Sequence, residues 1–132
     1  MSLLSPSPEK TISIGISSCK PLAVALPRFA SGKTASSCNG KYDLKMQADG
    51  NLVLYHEGVG AIWSTQTNGK GGNSAIMQTD GNFVLYTSAS KALWSSVSSN
   101  HKGSYLAIQD DGNLVVYSPG GTPLWDSNTN GK

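Results

Sequence analysis

The chain has 132 residues, which suits one domain and leaves little room for a second. Charged residues make up 14% of it and the net charge is only +2; because the lysines are scattered singly rather than clustered, no nucleic-acid partner is expected. The most apolar stretch, residues 22–26, is far too short to span a bilayer, so we expect no membrane insertion.

The first ten residues resemble neither a packed element nor a targeting signal. Residues 1–10 contain Pro6 and Pro8, and we expect a flexible N-terminal tail. They lack a basic stretch followed by an apolar core, which predicts a cytoplasmic protein, with secretion as the alternative. Two cysteines, Cys19 and Cys38, are too few for a disulfide framework, so two ordinary thiols are expected. The alternative is one disulfide bond between them.

A period-2 pattern follows the tail. Between residues 11 and 27, apolar side chains alternate with small or polar ones, and this pattern predicts about two strands. The alternating apolar residues are Ile12, Ile14, Ile16, Leu22, Val24 and Leu26. This segment is the candidate for closing a ring of sheets, so residues 11–132 are expected to form a single domain.

The rest of the chain is an internal repeat. Residues 40–70, 71–101 and 102–132 align as three copies of 31 residues. Seven columns are identical: Gln47/Gln78/Gln109, Asp49/Asp80/Asp111, Gly50/Gly81/Gly112, Asn51/Asn82/Asn113, Val53/Val84/Val115, Tyr55/Tyr86/Tyr117 and Trp63/Trp94/Trp125. Because all three tryptophans of the chain share one column, we expect them to pack in the core rather than to serve as a ligand platform.

Each repeat predicts three short strands. In the first copy, one strand ends at Met46 and Gln47, Asp49 and Gly50 form a turn, and a second strand spans residues 51–55. A glycine-containing connection leads to a third strand around Ile62 and Trp63. Since side chains alternate along a strand, the leucines at 52 and 54 should face the core, and the motif side chains should form a polar row on the other face.

That polar row has the chemistry of a sugar site. Amide groups of Gln and Asn donate and accept hydrogen bonds, the Asp carboxylate accepts strongly, and the Tyr hydroxyl does either. Valine adds an apolar contact for the C–H groups of a sugar ring. Rigid strands would fix the spacing of these groups and so lower the ordering cost of binding.

The motif copies QADGNLVLY (47–55), QTDGNFVLY (78–86) and QDDGNLVVY (109–117) resemble the QxDxNxVxY motif of the bulb-type, or monocot-type, mannose-binding lectins. The resemblance covers residues 40–132 well and 11–39 loosely. It implies an all-β fold, the β-prism II, with three four-stranded antiparallel sheets around a pseudo-threefold axis. It also implies a multivalent, metal-independent lectin without a cofactor that binds mannose or high-mannose glycans on glycoproteins.

The resemblance further implies a role for each motif residue. Asp49 and Asn51 would bind the axial 2-hydroxyl of mannose, Gln47 the 3-hydroxyl and Tyr55 the 4-hydroxyl, while Val53 would touch the ring carbons. The same roles would fall to Asp80, Asn82, Gln78, Tyr86 and Val84 in the second copy, and to Asp111, Asn113, Gln109, Tyr117 and Val115 in the third.

The sequence departs from the family in two places. Plant members commonly have a cysteine where Gly50 stands, paired with one early in the next repeat, where Asn73 and Ser74 stand. The N-terminal segment is also longer than usual and contains both cysteines. A homodimer is one expected assembly, because family members often exchange terminal strands.

Four other interpretations fit the repeats less well. The repeats could form a structural or protein-interaction module with inactive sugar sites, but that would not explain why Gln, Val and Tyr recur together. A calcium loop lacks ligands, since the first two motifs carry one carboxylate each. An enzyme is not expected, because His56 and His101 stand in different columns and no nucleophile, phosphate or zinc motif is present. A β-trefoil would use longer repeats.

Overall fold

The structure, a computed structural model, describes residues 28–132. The expected tail at residues 1–10 and the strands expected within residues 11–27 lie outside this range. The described part contains eleven strands and no helix: Phe29–Ala30 (β1), Thr34–Ser36 (β2), Tyr42–Met46 (β3), Leu52–His56 (β4), Gly60–Ser64 (β5), Gly72–Met77 (β6), Phe83–Thr87 (β7), Ala92–Ser95 (β8), Tyr105–Ile108 (β9), Leu114–Tyr117 (β10) and Pro123–Asp126 (β11). Residues 28–132 accordingly hold no helix of the length and apolarity needed to cross a membrane.

The strands form three antiparallel sheets, one for each repeat. The first sheet has the order β2-β3-β4-β5 and the second β1-β6-β7-β8, and β9, β10 and β11 form the third. Two outer strands therefore come from residues 29–36, which the sequence pattern had not marked as strands, and the third sheet has three strands within the described residues. This arrangement is the expected β-prism II rather than a β-trefoil.

Alternation along the central strands places the core between the sheets. Leu52 and Leu54 of β4 are fully buried, as expected for the apolar face of that strand. Their counterparts in β7 and β10 are equally buried and belong to the same apolar cluster: Phe83, Leu85, Leu114 and Val116. Burying one such side chain contributes about 2 kcal/mol, so the cluster is a principal source of stability.

A β-bulge recurs at the same place in all three sheets. In the first sheet, Leu54 pairs with Trp63 and Tyr55 pairs with Ala61, so that Ile62 is the extra residue. The same shift occurs between β7 and β8 and between β10 and β11. Because a bulge lets two successive side chains leave strict alternation, both Ile62 and Trp63 pack against the core.

The three tryptophans, one from each sheet, contact one another. The ring centroids of Trp63, Trp94 and Trp125 lie 5.3 to 5.6 Å apart, and each pair meets edge to face. This geometry favours aromatic pairs because a ring edge carries positive charge and a ring face negative charge. The rings are partly exposed rather than fully buried, so they form one border of the core.

Each repeat also touches the next through the turn of its motif. A Cβ on Gly50 would lie 2.9 Å from the backbone nitrogen of Gly72, at the start of the second repeat. In the third repeat, a Cβ on Gly112 would lie 2.9 Å from the Tyr42 ring of the first repeat. The three motif turns therefore pack around the ring of sheets, which fixes the motifs relative to one another.

The sequence predicted two ordinary thiols. This prediction is wrong for Cys38, which is disulfide-bonded. Cys19, the other cysteine of the sequence, lies outside the described residues.

Candidate functional site

The motif of each repeat begins in the hairpin that joins its first two strands. In the first repeat, Gln47 N–H donates to the Asn51 carbonyl at 2.9 Å and Gly50 N–H donates to the Gln47 carbonyl at 3.0 Å. Gly50 has a φ of 90°, a conformation that glycine adopts without strain. The equivalent hydrogen bonds in the other repeats have the same lengths, so the three hairpins have the same backbone form.

The motif aspartates shape the turn and remain accessible. One carboxylate oxygen of Asp49 accepts the backbone N–H of Asn51 at 2.9 Å, and Asp80 and Asp111 make the same bond in their repeats, also at 2.9 Å. This side-chain bond to the residue two positions on is an Asx turn. Because all three aspartates are exposed, their second carboxylate oxygen can accept a hydrogen bond from a ligand.

The motif asparagines are held in one orientation by their carbonyl oxygens. Asn51 Oδ1 accepts the Thr65 hydroxyl at 3.1 Å and the Thr67 backbone N–H at 3.2 Å. Asn82 and Asn113 make equivalent bonds in their repeats. With Oδ1 committed to these partners, each amide keeps its Nδ2 group, a hydrogen-bond donor, for other partners.

A pair of hydroxyls behind each asparagine, buried except for the half-buried Ser127, supports this orientation. In the first repeat, the hydroxyls of Thr65 and Thr67 lie 2.8 Å apart, and Thr67 also donates to the Gly50 carbonyl at 2.8 Å. The other repeats have the same network, with Ser96 and Ser98 in the second and Ser127 and Thr129 in the third. These residues do not stand out among the identical columns of the repeat, because threonine and serine alternate at both positions. The signal in the sequence is that both columns keep a hydroxyl in every repeat.

The motif glutamine and tyrosine bond directly to each other across the hairpin. In the first and third repeats the glutamine Nε2 donates to the tyrosine hydroxyl, whereas Tyr86 donates to Gln78 Oε1 at 3.0 Å in the second. Each pair is partly buried. The bond fixes both side chains, so that a sugar would meet an ordered pair of polar groups.

The motif valines lie on the same face but are less accessible than the sequence pattern predicts. Val53, Val84 and Val115 are only 2 to 4% exposed. A ligand could therefore touch only a small apolar patch of each valine.

The three sites differ in the charges beside them. Lys45 pairs with Val53 across the first sheet, where the second and third have Ile76 and Ala107. On the other side, Val115 pairs with Asp126, where the first two sites have Ser64 and Ser95.

The third site is the acidic one. Asp126 Oδ2 accepts a hydrogen bond from Asn113 Nδ2 at 2.8 Å. The Tyr117 ring stacks on Tyr105 with centroids 5.5 Å apart. Burial raises the pKa of the Tyr117 hydroxyl, the hydrogen bond with Gln109 lowers it, and Asp111 and Asp126 raise it further.

The structure thus brings the five predicted residues of each motif together on one hairpin and its following strand. Within residues 28–132, no group of three or more His, Cys, Asp and Glu side chains is arranged to hold a metal ion. The two histidines, His56 and His101, lie outside the motifs. His56 Nδ1 forms a hydrogen bond of 2.6 Å with the backbone oxygen of Lys132. The arrangement offers fixed donors and acceptors to a polyhydroxylated ligand.

Comparison with solved structures identifies lectins. A monocot mannose-binding lectin from Gastrodia elata is 40% identical, with a TM-score of 0.72, over 80% of this chain and 94% of that one. The lectin of Marasmius oreades is 33% identical, with a TM-score of 0.72, over 77% and 85% of the two chains. The mannose-specific agglutinin of snowdrop, Galanthus nivalis, is 35% identical, with a TM-score of 0.63, over 68% and 82%. No protein-family model and no curated protein matches the chain.

The similarity extends over most of each lectin, and the chain shares the three-sheet fold with them. The two proteins with the higher TM-scores exceed 30% identity and are covered over more than four fifths of their length. The chain therefore belongs to the bulb-type, or monocot-type, mannose-binding lectin family, and it is a carbohydrate-binding lectin rather than an enzyme.

Proposed function

We propose that the chain binds mannose and high-mannose N-glycans of glycoproteins through its three QxDxNxVxY sites. The observation that carries the proposal is the fixed orientation of Asn51, Asn82 and Asn113, whose Oδ1 atoms are held by the protein in all three repeats. Each site then offers an amide donor beside an exposed Asp carboxylate. In this proposal the pair takes the 2-hydroxyl, and the glutamine and tyrosine take the 3- and 4-hydroxyls.

Two of the similar structures support the choice of sugar. The Gastrodia elata protein is a mannose-binding lectin, and the snowdrop agglutinin is a mannose-specific lectin in complex with methyl-α-D-mannoside. In this proposal the chain binds the same sugar. The axial 2-hydroxyl distinguishes mannose from glucose, so Asp and Asn of each motif would carry the specificity.

Asn82→Asp tests one site with little change in shape. An aspartate keeps the oxygen that accepts from Ser96 and Ser98 but replaces the Nδ2 donor with an acceptor. Calorimetric titration with methyl-α-D-mannoside should show three sites in the wild type and two in the variant. Asn68→Asp makes the same change on an exposed loop residue and should keep three.

Two outcomes would contradict the proposal. An unchanged number of sites in Asn82→Asp would remove the second motif from the binding surface. A wild-type chain that binds no mannoside would favour the alternative, a threefold structural or protein-interaction module with inactive sugar sites.

Binding is proposed to be metal-independent, because each motif already supplies donors and acceptors for the hydroxyls. Titration in the presence of EDTA should give the same affinity. Loss of binding in EDTA that calcium restores would contradict this part of the proposal.

The compartment and the homodimer stay predictions. The disulfide bond at Cys38 favours secretion over the cytoplasm, because disulfides persist mainly in oxidising compartments.

A further inference from the structure

The position across the sheet from the motif valine is occupied differently in the three repeats. Ser64 and Ser95 pair with Val53 and Val84, whereas Asp126 pairs with Val115. Directly paired residues on neighbouring strands point their side chains to the same face of a sheet. Asp126 therefore lies on the ligand face of the third site, next to the motif.

Asp126 also contacts the motif itself. Its Oδ2 accepts a hydrogen bond of 2.8 Å from Asn113 Nδ2, the amide group that the proposed function assigns to the sugar 2-hydroxyl. The serines at this position instead accept backbone N–H groups of the following turn, from Gln66 and Val97. Consistent with the added contact, Asn113 is only 8% exposed, whereas Asn51 and Asn82 are more accessible.

Two carboxylates consequently contact the motif asparagine of the third site: Asp111 accepts its backbone N–H and Asp126 accepts its Nδ2 group. Asp111 lies on the turn side and Asp126 on the strand side, and both are exposed. Burial makes the largest contribution to the raised pKa of the neighbouring Tyr117 hydroxyl, and both carboxylates also raise this pKa. The first site differs most, because Lys45 lies beside its valine and its Nζ is 5.3 Å from the centroid of the Tyr55 ring.

We propose that Asp126 is a specificity-determining residue that makes the third site selective for 2-amino sugars over neutral ones. The inference rests on the proposed function, since it takes the sugar 2-position to lie at the Asp and Asn of the motif. A hydroxyl has one hydrogen to donate and can satisfy one carboxylate. An ammonium group has three hydrogens and a positive charge, so it can bond both carboxylates at once.

Site-resolved NMR titration tests this proposal. The side-chain amide resonances of Asn51, Asn82 and Asn113 report the three sites separately. Methyl 2-amino-2-deoxy-α-D-mannoside, at a pH where its amine is protonated, should saturate the third site at about two- to fivefold lower concentration than the second, the size expected for an exposed ion pair. The 2-acetamido derivative, which is neutral, should show no such preference, and added salt should reduce the preference of the amine.

Three variants locate the effect. Asp126→Asn removes the charge and keeps the shape, and Asp126→Ser installs the residue of the other two repeats; both should abolish the preference at the third site. Ser95→Asp is the matched gain-of-function variant, and it should confer the preference on the second site. The second site is the better recipient than the first, because Lys45 at the first would neutralise a new carboxylate.

The outcomes separate this inference from the function on which it rests. If no site responds to methyl-α-D-mannoside, the proposed function fails. If the neutral mannoside binds and the amino sugar saturates all three sites equally, or if Asp126→Asn keeps the preference, the role of Asp126 is wrong.

Discussion

The motif asparagine shows at the scale of one residue how this fold prepares a polar side chain for a ligand. Asn51 could rotate its amide freely on an isolated strand. Here, two donors from residues 65 and 67 hold its Oδ1 and leave Nδ2 as the donor. A preorganised amide loses less entropy when a sugar binds, so in the proposed function the buried hydroxyl pair behind Asn51 supports binding without contacting the ligand.

Thr67→Val tests this support. Valine has nearly the shape of threonine, but it would leave the Gly50 carbonyl without the hydroxyl that donates to it at 2.8 Å in a buried position. We expect a loss of about 1 to 3 kcal/mol in the free energy of unfolding. Methyl-α-D-mannoside should also bind more weakly at the first site alone. Thr34→Val, at an exposed strand residue, is the control, and equal stability of the two variants in urea would contradict the role of the network.

Val97 is an apolar residue in an unfavourable conformation. Its φ is 54° and it is 84% exposed, although β-branched residues rarely adopt positive φ. The equivalent residues Gln66 and Asn128 have the same conformation, so the fold requires it in every repeat.

Val97→Asn should therefore stabilise the protein by about 1 kcal/mol, because asparagine tolerates the left-handed region better than valine. Val59→Asn changes another exposed valine, one without positive φ, and should have almost no effect. Thermal unfolding measures both. A lower midpoint for Val97→Asn would show that the strain argument is mistaken.

At the scale of elements, the motif hairpin both presents the proposed sugar site and packs against the segment where one repeat ends and the next begins. In the second repeat, a Cβ on Gly81 would overlap the carbonyl oxygen of His101, and Gly81 has a φ of 96°. The same glycine is required by its turn conformation and by the close approach of the backbone at the end of its repeat. This explains why Gly50, Gly81 and Gly112 form an identical column.

Gly81→Ala should destabilise the protein by about 2 to 4 kcal/mol, because the conformational strain and the backbone overlap act together. Gly120→Ala is the matched control, since a Cβ there would meet nothing within 4 Å and its φ is not positive. Denaturant unfolding of the two variants gives the comparison. Similar midpoints for both would refute the close-packing argument.

At the scale of the whole molecule, the tryptophan triad joins the three sheets. Each ring contacts the other two, so the loss of one removes two of the three aromatic contacts. Trp94→Ala should cost about 3 kcal/mol or more, even though the ring is partly exposed. Val59→Ala, at an exposed apolar residue, should cost very little. A Trp94 variant as stable as that control would show that the triad does not hold the sheets together.

The proposed arrangement of one sugar site on each sheet also predicts how the lectin would reach useful affinity. A shallow site that exchanges water hydrogen bonds for sugar hydrogen bonds gains little, so we expect a Kd near the millimolar scale for free mannose, about −4 kcal/mol. Three rigidly placed sites can bind neighbouring glycan branches, and linkage of this kind raises apparent affinity by roughly 10² to 10⁴.

A variant with one working site tests this multivalency. Asn82→Asp combined with Asn113→Asp leaves the first site, which should keep the wild-type Kd for free mannoside in calorimetry. Retention of the variant on a dense mannan surface should collapse relative to the wild type. Equal retention of the two proteins would argue against multivalent binding.

Much of the fold and of the candidate site could be predicted from the sequence, because the three repeats keep identical residues at the positions that matter. Strict alternation around Leu52 and Leu54 identified the core face, and the identical columns placed Gln47, Asp49 and Asn51 around one turn. Both features are local, since strand periodicity and turn chemistry depend on residues a few positions apart.

Other features were decided only by the tertiary structure. The strands at residues 29–36 are too short to show a pattern, and they are strands because the first and second sheets offer them edges to pair with. The support of Asn51 by Thr67, sixteen residues away, and the contact of Asp126 with Asn113 arise from pairing between strands. The burial of the motif valines has the same origin. Such contacts join residues that are distant in sequence, so they become visible only when the sheets are formed.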